Sequence, residues 1–159
     1  MRLKLFDGAT VEQTTGIMSA LVERHKTDVQ VRIDVADIVR TARLKDGDVR
    51  GLCDAVYRWV RGRVKYWQDT AGVETIQAPH VTLALGIGDC DDMSVLAATL
   101  LQAAGVETSW LLIGYTADYP EHVCVCCYDD DSKMHVVDCS CSPCELKSVT
   151  DGATVMAIL

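Results

Sequence analysis

The chain has no run of the roughly 18 apolar residues that a membrane-crossing helix needs. Its opening, Met1 to Gly8, has no apolar core of a secretory leader either. Both absences predict a soluble, cytoplasmic protein with no membrane partner. Cations are scarce beyond residue 80: residues 81–159 hold 2 Lys+Arg against 12 Asp+Glu, net −10, whereas residues 1–80 hold 13 against 11, net +2. The resulting −8 excludes the phosphate neutralisation on which non-specific nucleic-acid binding depends. A site in the second half works in a negative field, which disfavours acidic substrates. Repeats, low-complexity tracts and linkers are also missing, so residues 1–159 are read as a single domain.

Cysteine, by contrast, is abundant. Eight are present, at 53, 90, 124, 126, 127, 139, 141 and 144, and seven of them fall between 90 and 144. In a reducing compartment a disulfide framework is not expected, which leaves metal binding and catalysis as their uses.

The hydropathy pattern divides the chain into a helical part (1–65), a glycine-punctuated loop (66–89) and a central helix followed by a sheet (90–159). Ile17, Met18, Leu21 and Val22 recur at helical spacing behind Thr10, a capping residue. A second helix after Asp28 and a third after Asp48 follow the same logic, and a short strand is expected at Leu3–Phe6. The segment from Asp92 to Ala104 is apolar nearly all round, as a covered central helix requires. Beyond Gly105 the pattern changes to alternating β-formers at Ser109–Tyr115, His122–Tyr128 and Met134–Asp138. The fold class is therefore α+β, helices first and an antiparallel β-sheet second.

Cys90 stands in Gly86-Ile87-Gly88-Asp89-Cys90-Asp91-Asp92, where a glycine loop enters the central helix. Free N–H groups and the helix dipole at such a junction favour a thiolate, and the glycines leave room for a substrate backbone. The charges of Asp91 and Asp92 act against ionisation. A cysteine nucleophile needs a base and an orienting group. Of the four histidines, His25 falls on the apolar stripe of the first helix and His80 in the loop, whereas His122 and His135 lie on the two strands of a hairpin. Pairing Tyr128 with Lys133 around a four-residue turn sets His122 opposite Cys139, one position from Asp138. His122 Nδ1–H would then donate to Asp138, leaving Nε2 to take the Cys90 proton.

Cys, His and Asp in this order, with Gly-Asp-Cys-Asp-Asp at a helix start, an apolar helix ending Ala-Ala-Gly, Glu-His-Val-Cys-Val and Val-Val-Asp, resemble the transglutaminase-like (papain-like) cysteine peptidase superfamily. Small phage and prophage members are the most similar in motif order, through Trp-Val-Arg, Val-Lys-Tyr, Gln-x-Pro and Gly-x-Gly-Asp-Cys-Asp-Asp. The resemblance covers about residues 28–140. It implies a papain-like core with Cys90 as nucleophile, His122 as base and then acid, and Asp138 as orienter. It also implies a glutamine oxyanion donor, for which Gln77 is the candidate. The reaction implied is thiol-dependent acyl transfer on a protein or peptide, hydrolysing a peptide, isopeptide or side-chain amide bond without a cofactor. Transfer to an amine, as in a transglutaminase, is the variant that the triad does not separate. A non-catalytic phage assembly protein that keeps the fold is the alternative from another class, with other virion proteins as partners and the host cytoplasm or the virion as location.

One departure raises a metal question. Asp138 is followed by Cys139-Ser140-Cys141-Ser142-Pro143-Cys144, not by the Pro-Thr turn usual in the family. Cys139, Cys141 and Cys144, with Cys124, Cys126 or Cys127 on the neighbouring strand, supply thiolates enough for tetrahedral zinc. The spacing lacks paired Cys-x2-Cys knuckles, so the expectation is no metal, with Cys124 and Cys126 packed behind the site in phase with His122.

Overall fold

The computed structural model describes residues 2–5, 10–70, 74–114, 120–140 and 154–159. Its first strand, β1 (Arg2–Leu5), precedes three helices: α1 (Val11–His25), α2 (Val29–Ala42) and α3 (Val49–Arg61). Thr10 caps α1 through a capping box, its hydroxyl accepting from Gln13 N–H while Gln13 Oε1 accepts from Thr10 N–H. Asp48 caps α3 by accepting from Gly51 N–H at 2.8 Å. Arg58 and Arg61 lie in the last turn of α3, where cations suit the helix dipole.

The stretch expected as loop is more ordered than that. It holds β2 (Lys65–Tyr66), β3 (Glu74–Gln77), the short helix α4 (Pro79–Leu85) and β4 (Ile87–Gly88). Pro79 at the first helical position and Gly86 past the end, at φ +66°, are the boundary signals of α4. At seven residues it is too short to show a hydrophobic period. β1 pairs antiparallel with β3, and β2 pairs in parallel with β4.

The central helix α5 (Cys90–Ala103) is capped by Asp89 and is buried along its length from Asp91 to Leu101. After it come β5 (Ser109–Gly114), β6 (His122–Tyr128), β7 (Met134–Val137) and β8 (Thr154–Ile158). They form an antiparallel sheet in the order β7-β6-β5-β8. The last strand, which pairs with β5, escaped the sequence analysis. The observed class is α+β, as expected.

One core cluster joins Met93, Val95, Leu96, Leu100 and Leu101 of α5 to Met18, Leu21, Val56 and Val60 of the helices and to Val123, Val125 and Val137 of the sheet. A second, with Leu111, Ile113, Cys124 and Cys126, lies on the sheet's other face. Strand alternation accounts for the division: Val123, Val125 and Cys127 of β6 pack with α5, and Cys124 and Cys126 pack on the opposite face. Among the described residues no helix is long and apolar enough to cross a membrane.

Candidate active site

The hairpin register differs by one residue from the expected one, and the difference matters. Tyr128 pairs with Met134, Cys127 with His135 and Val125 with Val137, around the five residues 129–133. Asp129 explains the longer turn, its carboxylate accepting from the Asp131 and Lys133 amides at 3.1 and 2.9 Å. With Cys139 opposite His122, alternation would have turned Asp138 to the other face of the sheet. Continued past Val125–Val137, the observed register sets His122 level with Ser140 and makes Asp138 a diagonal neighbour on the same face.

His122 Nε2–H donates to Asp138 Oδ2 at 2.6 Å. The expected bond used Nδ1; spanning the diagonal takes the distal nitrogen, so Nδ1 is the one left for a reacting group. Asp138 is buried, and Ser140 holds its other oxygen, the backbone N–H at 2.9 Å and the hydroxyl at 2.5 Å. Burial alone would raise the Asp138 carboxyl. The hydrogen bonds from His122 and Ser140 and the imidazole charge outweigh it and hold the carboxyl below its ordinary value.

Cys90 opens α5, as expected, and reaches the same strand: its sulfur is hydrogen-bonded by the backbone of Val123, the residue after His122. Ser94, one turn along, donates its hydroxyl to Val123 O at 3.2 Å and ties α5 to β6 at this point. The thiol donates to Asp91 Oδ1 at 3.3 Å. Burial first, then the charges of Asp91 and Asp89, raise it well above the ordinary cysteine value, against the lowering by Val123. The helix terminus thus fails to make a resting thiolate here, because desolvation and two adjacent carboxylates exceed a half-charge dipole.

Gln77 lies against the first turn of α5. Its backbone N–H donates to Asp92 Oδ1 at 2.7 Å and its side-chain Nε2 to Asp92 Oδ2 at 2.5 Å, while Oε1 is buried without a hydrogen-bond partner. Burial and then Asp89 raise the Asp92 carboxyl to about 7. Gly88 is glycine for space rather than for substrate access: a Cβ there would sit 2.7 Å from Asp92 Cβ and 3.2 Å from Thr82 Cγ2.

Two features of the site were not singled out beforehand. Tyr66 is paired with Gly88, and burial followed by the nearby Cys90, Asp89, Asp91 and Asp138 raises its phenol. Trp67 N–H donates to Gly88 O at 2.9 Å, and its side chain is 69% exposed. The visible signal for both was an aromatic pair directly after a basic helix end, but the approach of Tyr66 to Cys90 depends on the β2–β4 pairing. The remaining histidines lie in other contacts. His25 Nδ1 bonds Asp28 Oδ2 at 2.6 Å, His135 Nε2–H donates to Asp129 Oδ2 at 2.7 Å, and His80 is exposed with its ring 5.3 Å from that of His25.

Of the cysteines weighed as zinc ligands, Cys141 and Cys144 lie outside the described residues. Cys139 and Cys127 are buried in the α5 cluster, and Cys127 Sγ is 3.2 Å from Cys53 Sγ. Cys124 and Cys126 are fully buried on the other face of the sheet, packed as expected.

Cys90 thus opens a helix packed on the strand that bears His122, and Asp138 follows the end of the next strand, β7. The profile of the transglutaminase-like superfamily matches residues 37–139, and the chain belongs to that superfamily. No curated protein matches it in sequence. Among solved structures it is similar to Legionella pneumophila LapG, with TM-score 0.61, 16% identity, and 91% of this chain and 82% of that one covered. It is also similar to a Parabacteroides distasonis protein provisionally named a protease, with TM-score 0.62, 11% identity and 80% of this chain covered. The match spans 26% of that longer chain.

Proposed function

We propose that the protein is a thiol-dependent hydrolase of peptide, isopeptide or side-chain amide bonds, with Cys90, His122 and Asp138 as its triad. The observation that carries this reading is the convergence of Cys90 on Val123 beside a His122–Asp138 pair held at 2.6 Å. Because the thiol rests protonated, attack is coupled to proton transfer: His122 Nδ1 takes the Cys90 proton as sulfur bonds to the amide carbonyl carbon. Asp138, kept anionic by its hydrogen bonds, stabilises the imidazolium and fixes its orientation. The carbonyl oxygen takes up negative charge against the Cys90 N–H, which no helix carbonyl claims. The Gln77 amide, with one N–H given to Asp92, has a second to offer as the other donor. His122 then protonates the departing amine, and water, deprotonated by the same imidazole, resolves the thioester.

Superfamily membership supports the reading. Cys90→Ala removes one sulfur at a half-buried loop–helix junction. It is expected to keep the melting temperature within a few degrees while lowering amide hydrolysis by about 10⁴-fold or more. The assay is release of peptide fragments or ammonia from a denatured protein mixture, with a fluorescent primary amine added in parallel. Incorporation of the amine in place of hydrolysis would reassign the reaction to transamidation. Retained hydrolysis with a lowered melting temperature would make Cys90 a packing residue and end the triad assignment.

A further inference from the structure

Cys124 has no part in the proposed chemistry, yet its thiol lies beside the groups that do. One ligand atom each from His122, Cys124 and Asp138 all lie within 4.8 Å of one another, Cys124 and Asp138 buried and His122 half-buried. Tetrahedral zinc holds nitrogen, sulfur and oxygen at about 2.0–2.3 Å, so its ligand atoms stand about 3–4 Å apart. The widest pair needs to close by roughly 1–2 Å, and where Nε2 is the nitrogen used the His122–Asp138 contact at 2.6 Å opens by under about 1 Å. We infer that His122, Cys124 and Asp138 form a site for a thiophilic divalent cation, zinc being the fit, and that its occupation switches the hydrolase off.

Four features support this. The donors are imidazole, thiol and a single carboxylate oxygen, a set that selects zinc over calcium or magnesium, which prefer all-oxygen shells. One thiolate and one carboxylate neutralise a divalent ion, which a buried site requires. Ser140 holds Asp138 Oδ1 with two hydrogen bonds, the kind of restraint that orients a ligating carboxylate. The net −10 of residues 81–159 attracts the ion, and the imidazole, 16% exposed, is the side from which it enters.

On binding, the Cys124 thiol gives its proton to solvent, and the His122 Nε2–H···Oδ2 bond yields to metal–nitrogen and metal–oxygen bonds. A neutral imidazole has one lone pair. Whichever ring nitrogen takes the metal, none is left for the Cys90 proton. The loss of activity rests on the proposed triad, whereas the site itself does not.

The test titrates chelator-treated full-length protein with Co²⁺, which reports a thiolate ligand as a charge-transfer band in the near ultraviolet, followed by displacement with Zn²⁺. The band should grow to one equivalent in the wild type and in Cys90→Ala, vanish in Cys124→Ala and Cys124→Ser, and weaken at least tenfold in affinity in His122→Ala. Zinc should inhibit hydrolysis at the same stoichiometry, and Cys124→Ala should raise the half-inhibitory zinc concentration at least tenfold. No band, or a band that survives both Cys124 substitutions, would overturn the site; survival there with loss in Cys90→Ala would give the metal to Cys90. A band of the expected kind in a protein without hydrolase activity would leave the metal site standing and remove the triad reading.

Discussion

At the scale of the residue, the two hairpin histidines are a matched pair: each donates Nε2–H to an aspartate, at 2.6 Å for His122 and 2.7 Å for His135. They differ in what the aspartate does. Asp138 is buried beside β6 and is itself held by Ser140, whereas Asp129 closes a solvent-facing turn. His122→Ala is therefore expected to abolish hydrolysis, and His135→Ala to leave turnover within about twofold while loosening the turn. Equal losses from both would show that the hairpin as a whole, and not one imidazole, supports activity. Asp138→Asn keeps the shape but offers Nε2–H a poorer acceptor and leaves the imidazolium uncompensated. A fall in kcat of about 10²-fold or more with little change in KM is expected. A change confined to KM would mean that Asp138 positions substrate instead.

At the scale of the element, the glycine-to-helix junction shows what the linear pattern contains and what it does not. A loop at Gly86, room for a close approach at Gly88 and a helix opened by Cys90 could be read because each has a local residue signature, whereas the cap, Asp89, was not singled out. The partner of the close approach could not be read, since Asp92 meets Gly88 only after Gln77 has pinned the carboxylate from another strand. The same distinction runs through the fold. α1, α2, α3 and α5 were legible from periodicity and caps, and β6 from its alternation. α4 is too short for a period, β8 is recognisable only by its pairing with β5, and the hairpin register turned on whether Asp129 closes a four- or a five-residue loop. That one residue decides which face Asp138 occupies, so the His122–Asp138 pairing was legible while its geometry was not. Gly88→Ala tests the junction. With Asp92 unable to give way, the added methyl should destabilise by about 1–3 kcal/mol in chemical denaturation, the usual overpacking range. An unchanged midpoint would show that α5 can slide away from β4.

At the scale of the whole molecule, the excess of negative charge in residues 81–159 converges on the first turn of α5, where Asp89, Asp91 and Asp92 are all buried. Two carboxyls respond in opposite senses, which predicts how stability depends on pH. Asp138 has a folded-state value below its unfolded one, so its contribution is present above pH about 4 and is lost as pH falls through the folded value. Asp92 is the reverse: raised by burial from 3.8 to about 7, it favours the folded state most below pH about 4, and that contribution declines as pH rises through about 7. A protonated Asp92 has an O–H to give, and Gln77 Oε1, buried without a partner, can receive it once the amide turns over at its 2.5 Å contact. Asparagine imitates that neutral acid, since its oxygen still accepts from Gln77 N–H and its amide donates to Oε1. Asp92→Asn should therefore match the wild type near pH 4 and exceed it by about 5 °C or more in melting temperature at pH 8. Asp138→Asn should fall below the wild type at pH 6 and converge with it as the acid limit is approached. An Asp92→Asn protein destabilised equally at pH 4 and pH 8 would mean that Asp92 is charged in the folded state, with the first turn of α5 held together by ionic attraction instead of by a shared proton.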